Sequence, residues 1–67
     1  MAFYEAWTPT GPLQHQKQTL VYAADNAEAA EQFFRAEHAQ EGETLEIRES
    51  AHHSFENTDG YMVVGMG

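Results

Sequence analysis

Asp25 to Gly42, DNAEAAEQFFRAEHAQEG, reads as one helix with both ends marked, and the remaining segments read as strands that cover its apolar side. Asp25 is placed as N-cap with Glu28 at the third helical position, a D-x-x-E variant of the capping box. Gly42 suits the left-handed residue that closes a last turn. At about 100° per residue, Ala27, Ala29, Ala30, Phe33, Phe34 and Ala36 fall in one half of the circumference. Asp25, Glu28, Glu31, Gln32, Arg35 and His38 take the other half. The alanines let the helix axis approach a sheet closely, while Phe33 and Phe34 supply the core area, roughly 150–250 Å² each. Glu37 projects from the apolar half, which is accounted for if the helix overhangs the sheet and the carboxylate reaches water. Glu31 precedes Arg35 by four residues, an orientation worth about 0.2–0.5 kcal/mol.

On the N-terminal side of the helix, Ala2 to Thr8, AFYEAWT, reads as an aromatic-rich strand that Pro9 ends. Phe3, Glu5 and Trp7 share one side, Ala2, Tyr4 and Ala6 the other, and the pattern leaves open which side is core. Thr8 to Gln16 holds both prolines with Gly11 between them and is expected to be a loop, the most mobile of the chain. Gln18 to Ala24, QTLVYAA, is a second and central strand. Beyond the helix, Glu43 to Ser50, ETLEIRES, alternates with Leu45 and Ile47 inward. Its phase either continues through Ala51 and His53 to Phe55 or breaks near His52. Asp59-Gly60 signals a turn, Tyr61 to Val64 a last short strand, and Gly65 to Gly67 an end that frays unless paired. The order ββαββ predicts a single small two-layer α+β domain over residues 1–67, a mostly antiparallel four-stranded sheet with one helix on one face.

Sixty-seven residues bury only about 60% of their unfolded surface, which disfavours a large enclosed active site. The absence of cysteine removes disulfides, thiolate catalysis and cysteine-based zinc sites. No apolar run approaches the ~20 residues of a membrane span, and MAFYEAW lacks the pattern of a signal peptide, so a cytoplasmic, unexported protein is expected. Eleven acids against three basic residues give a net charge of −8, which repels phosphate backbones and anionic lipid, so neither nucleic acid nor membrane is expected as a direct partner.

The motifs of catalysis are missing. His52 and His53 are adjacent, which on a strand sends them to opposite faces, and with His15 and His38 they are expected to be surface histidines without a metal. Ser50 or Ser54 with a histidine and Asp59 can be drawn as a triad, but no G-x-S-x-G elbow or oxyanion segment accompanies them. The glycines form neither G-x-G-x-x-G nor a P-loop, so no cofactor is expected. Trp7, Tyr4, Tyr22 and Tyr61 are types that anchor interfaces, although a domain this small needs them for its core.

The informative series is acidic. From Asp25 to Glu49 eight acids face Arg35 and Arg48, a net −6 of the −8. Asp25, Glu28 and Glu31 fall on an i, i+3 ridge with neighbours about 5–6 Å apart, comparable to successive phosphates along a strand. With Glu43, Glu46 and Glu49 they form the expected partner-binding set. A solvated face that keeps a small protein soluble is the plainer alternative.

A small acidic chain with two strands, the helix AEAAEQFFRAEHAQE and the strand TLEIRES resembles the small phage-encoded anti-CRISPR inhibitors as a class. Those families share no motif, so no functional residue carries over. The resemblance implies a protein of the host cytoplasm that binds a CRISPR effector and, in the acidic members, occupies a basic DNA-binding surface; a monomer is expected rather than a dimer. The leading expectation is therefore a non-enzymatic DNA-mimic inhibitor of a basic nucleic-acid-binding protein. The second is a structural or regulatory subunit that oligomerises through its aromatic strand face.

Overall fold

A computed structural model of the chain describes residues 1–37 and 44–66. The elements are β1 (Ala2–Thr8), β2 (Gly11–Pro12), β3 (Gln14–His15), β4 (Gln18–Ala24), α1 (Ala27–Glu37), β5 (Glu46–Glu49) and β6 (Tyr61–Met66). This is the expected α+β class, and β1 and β4 have the bounds that their alternation predicts. Tyr4 pairs with Tyr22 across one edge of β1 and with Glu49 across the other. Tyr22 in turn pairs with Tyr4 and Gly65, so the main strands lie in the order β5-β1-β4-β6. Every pairing is antiparallel except β4 with β6, which is parallel.

Thr8 to Gln16, expected as an open loop, instead carries β2 and β3. They extend the β1–β4 hairpin along Trp7↔Pro12 and His15↔Gln18. Between them Leu13 donates its N–H to Ala6 O at 2.8 Å and accepts from Leu20 N–H at 3.0 Å, which ties the segment to both strands. Gln16 and Lys17, at φ 52° and 68°, make the two-residue left-handed turn that matches strand twist, without the Asn-Gly that would announce it.

The helix is capped by Asn26, not Asp25: Ala29 N–H donates to Asn26 Oδ1 at 2.9 Å, which places Glu28 at the second helical position. The reason is spatial, since two residues are used to leave β4 before α1 begins at Ala27. Ala30 and Phe34 are fully buried against Ala6, Leu20, Ala24 and Leu45. Phe33, expected in the core, is only half-buried and stacks on Tyr22 with ring centroids 3.9 Å apart. Ala27 and Ala36 are exposed despite their place on the apolar half, and Glu37 is exposed as the overhang predicts. Gly42 as a C-cap lies outside the described residues.

β5 begins at Glu46, with Leu45 and Ile47 turned to the core as expected. It ends at Glu49, and the inherited phase is lost: His52 is buried and His53 exposed, the reverse of a continued strand. The cause is topological. β5 and β6 occupy opposite edges, so Ser50 to Thr58 must cross the sheet, and it does so on the face away from α1. There Phe55 and His52 meet the Phe3 ring edge-on at 5.0 and 6.1 Å, and His52 stacks on Tyr61 at 5.2 Å. Val21 and Ala23, which alternate onto this face, are fully buried. This crossing strap is anchored at its far end by Asn57 Oδ1, which accepts Val63 N–H at 2.7 Å, and by Gln18 Nε2, which donates to Thr58 O at 3.3 Å. β6 runs to Met66 rather than stopping at Val64, because Gly65 and Met66 pair with Tyr22 and Ala23 beyond a bulge.

Candidate functional site

β1 runs against β4 and β5, and β6 runs with β4, so Ala2, Ala24, Glu49 and Met66 converge at one end of the sheet. Asp25, Glu28 and Glu49, three of the expected partner-binding acids, are exposed at that end. The other expected acids are placed differently. Glu31 lies further along α1 and accepts from Arg35 Nε at 2.8 Å. Glu46 sits toward the other end of β5, and the odd spacing to Glu49 turns it to the opposite face. Glu43 lies outside the described residues. Since Asp25 precedes the helix, the three-residue ridge reduces to Glu28 and Glu31.

A second constellation crosses the strap side of β1 and β5. Glu5, only 8% exposed, accepts from Trp7 Nε1–H at 3.0 Å through Oε1 and from the Ser50 hydroxyl at 2.6 Å through Oε2. Ser50 Oγ in turn accepts His52 N–H at 3.1 Å. Above Trp7 the Arg48 guanidinium carbon stands 4.3 Å from the ring centroid, and Arg48 Nε–H donates to Glu46 at 2.9 Å. That hydrogen bond and the Arg48 charge hold the Glu46 carboxyl below its ordinary value. An open cleft of about 530 Å³ beside this array is lined by Trp7, the Thr8–Gly11 turn, Thr44, Glu46 and Arg48. Its groups are largely spoken for: the indole N–H is used by Glu5, Arg48 Nε by Glu46, and Thr8 Oγ1 by Gly11 O at 2.9 Å. The cleft therefore offers the Arg48 Nη donors and threonine hydroxyls, which recognise polar groups, and no nucleophile beside a base.

The drawn triad does not assemble. Ser50 meets His52 through the backbone N–H, while the ring Nδ1 faces Thr58 Oγ1 at 3.5 Å. His52, expected on the surface, is 8% exposed, and its Nε2 is buried without a partner among the described residues. His15 and His53 are exposed as expected, and His38 lies outside the described residues. Among the described residues no three or more His, Cys, Asp or Glu side chains are grouped to hold a metal ion.

Sequence reasoning did not single out the buried Glu5 or the exposed apolar residues. The placement of Glu5 between Phe3 and Trp7 on an aromatic strand was the available signal for the first. Met1 at 65%, Phe55 at 58% and Met66 at 65% exposure are the exposed large hydrophobics among the described residues. All three belong to the end of the sheet that carries Asp25, Glu28 and Glu49.

No family model, curated protein or solved structure matches this chain. Among the described residues no helix is long and apolar enough to cross a membrane.

Proposed function

We propose that this chain is a non-enzymatic inhibitor that lays its carboxylates on a Lys/Arg-lined nucleic-acid-binding surface of a partner protein and keeps DNA out. A CRISPR effector is the partner class to which the resemblance points. The observation that carries this reading is how the charge is distributed. Of the three basic residues, Arg35 and Arg48 are each held by a carboxylate of the chain's own, Glu31 and Glu46. The face offered to a partner is thus almost purely anionic, which accelerates encounter with a basic groove and repels acidic surfaces. The reading through an aromatic strand face has less support, because α1 packs over Tyr4 and Tyr22 and the strap packs over Phe3.

The test is capture from a bacterial lysate at low and high salt, followed by competition on the captured protein. The expected result is a basic nucleic-acid-binding protein that is released by salt and loses labelled duplex DNA as this chain is added. A captured protein that holds DNA and this chain together sinks the mimic reading.

A further inference from the structure

Three of the exposed acids that have no ion pair among the described residues, Asp25, Glu28 and Glu49, share one place with the exposed apolar residues, the end of the sheet where β1 begins and β4, β5 and β6 finish. On the strap side of this end Phe55 stands 58% exposed with its ring edge-on to Phe3. Phe3 pairs with the fully buried Ala23, and Ala23 with Met66, which is 65% exposed, so Phe55 and Met66 stand on the same face of the sheet on either side of β4. On the helix side of the same end stand Asp25, Glu28 and Glu49, all exposed, and Glu56 follows Phe55 on the strap. Two exposed apolar side chains thus share one sheet end with carboxylates, and no Lys or Arg side chain stands beside them: Arg35 and Arg48 are bound to Glu31 and Glu46, and Lys17 is in the turn at the opposite end.

We propose that this sheet end is a docking face for a cationic amphipathic segment of the partner protein. The apolar stripe of that segment seats on Phe55 and Met66, while its Lys and Arg side chains reach Asp25, Glu28 and Glu49. Charge complementarity selects this occupant. A second copy would bring the same carboxylates against one another, and nucleic acid would be repelled. This inference rests on the reading of the chain as a binder of basic partners and adds that the contact has an apolar centre.

The probes are a Leu/Lys peptide of amphipathic helical pattern and a Ser/Lys peptide of equal charge, titrated at physiological salt with amide and methyl shifts followed by NMR. The Leu/Lys peptide is expected to bind at least about tenfold tighter, the usual cost of losing one anchor. Its shifts should centre on Phe55, Met66, Asp25 and Glu49. Phe55→Ser should remove that advantage and leave Ser/Lys binding unchanged. Met66→Ser, at the last residue of β6, gives a second readout if Phe55→Ser loosens the strap. Equal affinity of the two peptides with shifts spread over all acids overturns the docking face and leaves the acidic-binder reading standing. Binding of neither peptide at low salt overturns both. Shifts centred on the Trp7–Arg48 cleft, or self-association lost on Phe55→Ser, overturn the assignment of this face to a cationic segment.

Discussion

Glu5 is a carboxylate in the sheet interior, stabilised by two hydrogen bonds rather than by a cation, since Arg48 across the strand is turned onto Trp7 and Glu46. Removal of one donor leaves an acceptor buried, which costs about 1–3 kcal/mol. Ser50→Ala is accordingly expected to lower unfolding free energy by that amount in urea, and a change near zero would mean that water replaces the hydroxyl. Glu46 differs because it is solvent-exposed, and its perturbation is local. The Arg48 hydrogen bond and charge lower its folded value, so this contribution is present above the unfolded value and lost as pH falls through the folded one. In Arg48→Ala, the Glu46 carboxyl resonance should titrate at higher pH than in the parent; an unmoved midpoint refutes the pairing.

At the scale of elements, the capping of α1 separates two neighbours that look alike in sequence. Asn26→Ala should cost about 1 kcal/mol of stability by loss of the bond to Ala29 N–H, while Asp25→Ala should cost markedly less. Equal losses in thermal or denaturant melts would return the cap to Asp25. The β3–β4 turn places Gln16 and Lys17 in the left-handed region, where residues with a Cβ pay roughly 1 kcal/mol or more each. Asn-Gly at these two positions is expected to stabilise the domain by about 1 kcal/mol, and destabilisation would show that the Gln16 or Lys17 side chain does more than close the turn. β6 is legible only in part for a related reason: Gly65 and Met66 read as a fraying end, and it is pairing with Tyr22 and Ala23 that makes them strand.

At the scale of the whole molecule, −8 on 67 residues opposes compaction, because like charges are brought closer on folding than they are in the extended chain. Added sodium chloride screens this repulsion, so the melting temperature should rise from low salt toward physiological ionic strength. A melting temperature that falls over that range would mean that the Glu31–Arg35 and Glu46–Arg48 attractions outweigh the net repulsion. The sequence alone determined what depends on near neighbours: the amphipathic helix through Phe33 and Phe34, the alternation of Ala2–Thr8 and Gln18–Ala24, the Glu31–Arg35 pair and the sign of the surface charge. Those features follow from periods of 2 and 3.6 and from composition, which are local quantities. Only the tertiary structure decided that β5 and β6 take opposite edges, and from this follow the strap, the burial of His52 and the bonding of Glu5 to Ser50. It also decided which carboxylates, unpaired among the described residues, share a sheet end with Phe55 and Met66. Strand order joins residues far apart in the chain, and no short-range pattern records which edge a strand will find.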